Sequence, residues 1–361
     1  MKNWQAPRPE FAAIVAAMAG WGRWLAISAL GIAGLGLGLG LSVRRANACG
    51  GVFVPQAKRL PSLAHEQVLI LHDPNTDTEH FIREVAFRQA DQRFGFVVPT
   101  PTRPEVAKVD RGLFEKLRRQ FPFQRSKGIG SIGLGSGAGV GFGSGRSAGV
   151  QVLQVSKVGS FTAFVLAATD AKALSKWLKD NGLASSKETD VWLAHYVKMK
   201  FYYVAMRYDP PKGASAKSDV VDAETIRISF STPIPYYPYF EPEHPAGVEG
   251  ARVMELWLAS PVQVQPVALR DVGGKLEWFR PLRAGDVQQN ARSQLMGVLS
   301  AEDTKLLPEG ELSVQTFQDQ KRERTGMGDI LFPPLASATL SDDDKKALAP
   351  LLGVLDPELV Q

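Results

Sequence analysis

Cysteine is almost absent from this chain: Cys49 is the only one in 361 residues. An internal disulfide framework is therefore excluded, and with it the class of small stapled secreted scaffolds. Excess charge of one sign is scarce too. The chain carries 42 Lys and Arg against 37 Asp and Glu, a formal net charge of +5. Residues 1–48 hold five of the bases (Lys2, Arg8, Arg23, Arg44, Arg45) and one acid, Glu10, which leaves 37 bases and 36 acids for the rest. A near-neutral body lacks the clustered charge that neutralising several phosphates requires, so nucleic acid is not an expected partner. The P-loop pattern GxxxxGK[ST] does not occur. About 310 residues follow the first 48, enough for a hydrophobic core without staples.

Long apolar runs are limited to one. Leu25 to Val43 is an uncharged stretch of 19 residues preceded by Lys2, Arg8 and Arg23. That length fits a long export-signal core or a marginal membrane span. Ala46-Asn47-Ala48 supplies the small-x-small pattern of a signal peptidase site, and Gly31, Gly34, Gly36, Gly38 and Gly40 weaken a permanent helix by about 1 kcal/mol each. Arg44 and Arg45 follow the run, so they are not a twin-arginine signal. Cys49 falls immediately after the expected cut, where a lipoprotein carries its acyl chains. Cleavage before Cys49 is the first expectation; acylation of Cys49 and retention as an anchor stay open. All three expect the body outside the cytoplasm, in the periplasm or at the cell surface, with membrane contact through this segment or through a lipid on Cys49.

Beyond this leader the patterning is mostly β. EQVLILHD, HFIREVAFRQ and FGFVVPTP between Glu66 and Pro101 predict an antiparallel meander, with Phe81, Val85 and Phe87 facing one way and His80, Glu84 and Arg88 the other. Asp110 is placed to cap a short basic helix through Gln120, stopped by Pro122. Residues 128–149 contain ten glycines and predict a flexible loop. FTAFVLAA (161–168) reads as a central strand. A helix follows, with Ala171, Leu174, Trp177 and Leu178 inward and Lys172, Lys176 and Lys179 outward, ended by Asn181-Gly182. A second helix is capped by Ser186, with Val191, Trp192, His195 and Tyr196 inward. KFYYVAMRYD, TIRISFS, ARVMELWLAS, VQVQPVAL and ELSVQTFQ predict further strands.

The expected fold class is α+β, an antiparallel sheet-rich body with a few short helices, interrupted by the Gly-rich loop. The expected organisation is an export signal (1–48), a β-meander part (49–126), the loop (127–149), the main α+β part of the same domain (150–335) and a C-terminal tail (336–361).

Three segments resemble a known bacterial family. They are Ala48-Cys49-Gly50-Gly51-Val52-Phe53, the phrase Phe94 to Pro101, and the block Thr169 to Tyr208, followed further on by IRISFSTPIPYYP. Together, over about residues 48–270, they look like the exported bacterial proteins grouped as domain of unknown function 2330. The resemblance implies export and a domain beginning at the Cys-Gly-Gly motif; no activity comes with it. Members often carry a second Cys just after that motif, where this chain has Val52, Phe53 and Val54. The departure removes a local redox pair and frees Cys49 for lipidation or for no role.

Each candidate chemistry has a plainer explanation. Gly128-x-Gly130-x-x-Gly133 spells a dinucleotide fingerprint, but no buried strand precedes it and no helix follows. Asp73-x-Asn75-x-Asp77 with Glu84 mimics calcium-loop spacing, yet Thr78 replaces the turn glycine and strands flank it, so a β-turn is preferred. His65, His72 and His80 lack helical zinc spacing and read as surface histidines. His195 reads as a core histidine with one satisfied hydrogen bond rather than a general base. Pro233, Pro235 and Pro238 punctuate Tyr236, Tyr237, Tyr239 and Phe240, a stiff aromatic stretch for which packing on a sheet is preferred to a binding surface. Arg111, Lys116, Arg118, Arg119, Arg125 and Lys127 form a basic cluster that suits either an anionic envelope surface or a solvated helix face. No catalytic, cofactor or metal residue is assigned; the residues singled out are Ala46, Ala48 and Cys49. The expected role is a non-catalytic envelope module binding a protein or glycan; the alternative is an exported hydrolase whose active site leaves no linear signature.

Overall fold

The structure is a computed structural model that describes residues 52–53, 62–88, 94–110, 112–123, 149–159, 161–183, 186–208, 220–221, 225–242, 253–272, 275–319 and 328–335. It is α+β and dominated by antiparallel sheet. A five-stranded sheet has the order β1 (Val52–Phe53), β4 (Phe94–Thr100), β8 (Tyr202–Tyr208), β7 (Phe161–Ala168), β6 (Val150–Val158). An eight-stranded sheet runs β15 (Arg283–Gln288), β16 (Ser313–Asp319), β12 (Val253–Ser260), β2 (Ser62–Asp73), β3 (Thr78–Arg88), β10 (Ile226–Ser231), β5 (Glu105–Lys108), with β9 (Val220–Val221) also beside β3. Two small ribbons join β11 (Tyr236–Tyr237) to β17 (Ile330–Leu331) and β13 (Ala268–Val272) to β14 (Lys275–Phe279). Among the described residues only β12 and β2 pair in parallel. The helices are α1 (Leu113–Gln120), α2 (Ala171–Asp180), α3 (Lys187–Lys198), α4 (Arg292–Val298) and α5 (Ala301–Thr304).

Apolar runs in the central strands have a direct cause: the large sheet is covered on both faces. In β2 and β12, Val68, Ile70, Leu256 and Leu258 point into a core shared with the five-stranded sheet. Their alternate neighbours Leu69, Leu71, Trp257 and Ala259 point into a second core closed by Leu113, Phe114 and Leu117 of α1 and by Leu295 and Val298 of α4. Trp257 is fixed there by donating its indole N–H to the Phe121 carbonyl at 2.9 Å.

The helix signals of the second half match the structure. Asp170 caps α2 through the Ala173 amide, and Gly182 at φ 80° ends it while the Leu183 amide reaches back to the Leu178 carbonyl at 2.8 Å. Ser186 caps α3 through the Thr189 amide at 3.2 Å.

Four local expectations are corrected. The third run of the meander leaves its sheet: β4 pairs with β1 and β8 of the five-stranded sheet rather than with β3. Gly95 makes this close approach possible, since a Cβ there would collide with the Leu183 side chain and the Met206 carbonyl. Asp110 does not cap α1; Gly112, at φ 89°, takes that position, and Asp110 lies 4.0 Å from Lys116 Nζ. VQVQPVAL is not a strand before Ala268. Pro266 has no N–H to give a ladder, and only isolated bridges form, Val264 to Pro334 and Val267 to Leu331. Val191 points outward, 67% exposed, because the buried stripe of α3 runs through Thr189, Trp192, Leu193 and Tyr196.

The Gly-rich stretch 128–148, the expected signal segment and the tail from 336 lie outside the described residues. Among the described residues no helix is long and apolar enough to cross a membrane.

Candidate functional site

Three groups of polar side chains stand out from the apolar packing, and two of them are fastenings. The first holds the aromatic segment 233–240. Tyr236, Tyr237 and Tyr239 are fully buried, so the segment packs rather than presenting a surface. Its polar atoms are met by acids: Asp329 accepts from the Tyr196 hydroxyl at 2.9 Å, the Tyr236 hydroxyl at 2.6 Å and the Phe240 amide at 2.9 Å. Tyr239 donates to Asp319 at 2.9 Å, and Glu79 accepts from the Tyr236 amide at 2.7 Å. Burial pushes Asp329 up to about 6 against the opposing pull of these hydrogen bonds, and burial also raises Glu79 well above the usual carboxylate range. Neither acid faces solvent.

The second is an ion pair between Arg83 Nε and Glu66 at 2.8 Å, both almost wholly buried, with the Arg83 guanidinium 5.1 Å from the centre of the Phe96 ring. The pair joins β2 and β3 within the large sheet, and the Arg83–Phe96 contact reaches β4 of the small one.

The third group opens to solvent. A cleft of 580 Å³ runs along the edge strand β5 and is lined by residues 103–107, Gln154, Arg227 and Ser229. That volume lies within the range of small-ligand sites, about 300–1,000 Å³. Register explains its composition. Glu105, Ser229 and His80 are direct cross-strand neighbours, as are Ala107, Arg227 and Ile82, so one face of the sheet carries two adjacent rows of chemistry. His80 Nδ1 and Ser229 Oγ share a hydrogen bond of 2.8 Å. Arg227 Nη1 donates to Asp303 Oδ1 at 2.8 Å, while its Nε is buried without an acceptor. Asp303 is itself held by the Ser300 hydroxyl at 2.6 Å. Thr102 Oγ1 donates to the Ser231 carbonyl at 2.7 Å and accepts from the Ser231 amide at 2.8 Å, which anchors the loop carrying Arg103. On the far wall Gln154 Nε2 donates to Ser156 Oγ at 2.8 Å and lies 3.5 Å from the Val106 carbonyl.

The Ser229–His80 contact has the distance of a nucleophile–base pair. Its electrostatics differ. Burial, aided by the positive charge of Arg227, pushes His80 down to about 4. An imidazole of such low proton affinity is neutral at pH 7 and takes a hydroxyl proton poorly. Around this pair the cleft carries charged and hydrogen-bonding side chains.

His72 and His195 also differ from expectation, and the side chain of His65 lies outside the described residues. His72 is buried and donates from Nε2 to the Thr232 carbonyl at 3.0 Å, and burial lowers its pKa. It and His80 lie on interior strands of the large sheet, His72 on β2 between β12 and β3 and His80 on β3 between β2 and β10. His195 is half-buried between Tyr196 and Phe240, with ring centroids at 5.0 and 5.2 Å, and burial lowers it to about 4. The expected hydrogen bond of its ring is not found among the described residues. Asp73 is occupied in the β2–β3 turn, accepting from the Asn75 amide at 2.9 Å and the Thr76 hydroxyl at 3.1 Å. Glu84 accepts from Thr225 at 2.7 Å, about 20 Å along the strand from that turn, so the two do not share a calcium loop. In the basic cluster Lys116 and Arg119 are exposed on α1, and Arg119 pairs with Glu115 one turn away. Arg111, Arg125 and Lys127, the Gly128–Gly133 fingerprint, and Ala46, Ala48 and Cys49 lie outside the described residues.

The site residues Arg103, Glu105, Gln154, Arg227 and Ser229 carry no linear motif; only the pairing of β5 with β10 and of β10 with β3 assembles them. One motif needs the structure to be judged. Gly145-x-Ser147-x-Gly149 has nucleophile-elbow spacing, but Gly149, at φ 84°, leads into strand β6, whereas an elbow joins a strand to a following helix. Ser147 itself lies outside the described residues.

The chain is similar to baculovirus P35 in crystal structure, with a TM-score of 0.35 and 10% identity over 76% of this chain and 97% of that one. Comparison with curated proteins gives no match. The profile of the uncharacterised proteins conserved in bacteria, DUF2330, matches residues 43–239, more than half of the sequence. The chain belongs to the bacterial family DUF2330.

Proposed function

We propose that this is an exported cell-envelope protein that acts as a non-catalytic binding module in the periplasm or at the cell surface, with the cleft along β5 as its ligand site. Export rests on the leader: the apolar run Leu25–Val43, the Ala46-Asn47-Ala48 site and Cys49 behind it. The binding role is supported above all by the lining of the cleft, where Arg103, Glu105 and Arg227 supply charge and Ser229 and Gln154 supply hydrogen-bonding groups; the His80 imidazole that bonds Ser229 behind this lining is pushed down to about 4 by burial.

A hydrolase reading has one observation in its favour, the 2.8 Å Ser229–His80 contact beside two arginines able to stabilise an oxyanion. The two readings part under a fluorophosphonate probe with intact-mass readout on protein recovered from its native cells. The binding reading expects an unlabelled chain; an adduct on Ser229 overturns it. The same spectrum reports export. A mass starting at Cys49, with or without acyl chains, or full length in a membrane fraction facing outward, supports it; full-length protein in the cytoplasm refutes it.

A further inference from the structure

We infer that the cleft along β5 takes a small α-amino acid zwitterion, its carboxylate on Arg227 and Arg103 and its ammonium on Glu105. The inference rests on the binding-module reading and names the ligand class for it. Glu105 lies directly opposite Ser229 and Arg227 directly opposite Ala107, so the acid and the guanidinium are diagonal neighbours on one sheet face, about 7 Å apart at the start of their side chains. Opposite charges at that spacing ordinarily close into an ion pair. Here Arg227 is turned to Asp303 instead, and Glu105 has no cation partner among the described residues. Arg103, which also lines the cleft, is exposed and likewise has no acid partner among the described residues. Ala107 keeps the floor low next to Arg227, leaving the 580 Å³ above the strand open.

The charge pattern selects the ligand. With Arg227 already paired to Asp303, the charges left unpaired among the described residues of the cleft are Arg103 and Glu105, so a simple oxyanion would bring its charge against Glu105 and a simple cation would bring its charge against Arg103. A molecule carrying both signs on adjacent atoms satisfies both sides of the cleft. Ser229 and Gln154 add neutral hydrogen-bonding groups, and among the described residues no aromatic ring lines the cleft to stack a sugar or a base. The walls are set in advance by the Thr102–Ser231 pair of bonds and by the Arg227–Asp303–Ser300 chain, so little ordering is left for binding to bear.

The test is isothermal titration calorimetry on the purified full protein with glycine and L-alanine, and in parallel with acetate and methylammonium. Glycine and L-alanine are expected to bind about tenfold or more tightly than either single-charge analogue. Glu105→Gln and Arg103→Gln, both at exposed positions and therefore compatible with folding, are each expected to weaken glycine binding about tenfold. Ala107→Leu, which fills the floor without changing charge, is expected to abolish it. Acetate binding as well as glycine, unchanged affinity in these three variants, or no heat from any probe overturns the inference. If glycine fails while Ser229 remains unlabelled by the fluorophosphonate, only the ligand class falls; an adduct on Ser229 removes the binding-module reading itself.

Discussion

Replacing Asp329 by Ala tests whether the aromatic segment is fastened by buried acids. The carboxylate accepts from the Tyr196 and Tyr236 hydroxyls and from the Phe240 amide, all remote from solvent. Its removal strands three donors; at about 1–3 kcal/mol for each buried group left unpaired, the loss amounts to about 3–6 kcal/mol after partial relaxation. Tyr236→Phe removes one donor and costs about 1.5–3 kcal/mol in the natural background, as expected for a hydrogen bond to a charged group. In the Asp329→Ala background the same change removes a hydroxyl that already lacks its acceptor, so its cost falls to near zero. The double-mutant cycle should therefore show coupling of about 1.5 kcal/mol or more, read by urea denaturation followed through tryptophan fluorescence. Costs that simply add, within about 0.5 kcal/mol, would refute the claim that Asp329 and Tyr236 act as one fastening.

Other perturbations follow from the same packing. His195 is held near 4 by burial, against an ordinary value of 6.5, so the unfolded chain binds its proton more tightly. Stability from this group is present above pH 6.5 and is lost as pH falls towards 4, by at most about 3 kcal/mol. Asp329, raised to about 6, acts in the opposite sense over part of that window, so the comparison is with His195→Phe, in which only the histidine contribution disappears and the acid-side slope of melting temperature flattens. Arg83→Ala leaves Glu66 buried without its cation and should cost about 3–5 kcal/mol in chemical denaturation; a loss below 1 kcal/mol would mean that the pair is not desolvated. Gly95→Ala drives a methyl group into the Met206 carbonyl and should destabilise by about 1–3 kcal/mol, with soluble yield as a first readout and a neutral melting curve as the contrary result.

Local chemistry was legible in the sequence wherever one or two residues determine an outcome. The Ser186 cap and the Asn181-Gly182 terminus of the helices act through adjacent backbone groups, and both occur as expected. Packing of Tyr236, Tyr237 and Tyr239 is legible from their density, but no local signal marks the acid that receives Tyr236, 93 residues away at Asp329. Pairing between distant strands is where the reading failed. FGFVVPTP has the same apolar character whether it closes a meander or crosses to a second sheet, and only the partners of β4 distinguish the two. His72 and His80 were expected at the surface because alternation reports which face a residue takes, not whether that face is covered. The cleft shares this difficulty. Arg103, Glu105 and Arg227 are ordinary charged residues in separate segments until β5 docks on β10.

The proton affinity of His80 separates a hydrogen-bonding cleft from a catalytic one most directly. A titration of the His80 imidazole by nuclear magnetic resonance should give a midpoint near 4, with Ser229 unreactive at neutral pH. A midpoint at or above the ordinary 6.5, with Ser229 reactive at neutral pH, would contradict a non-catalytic cleft.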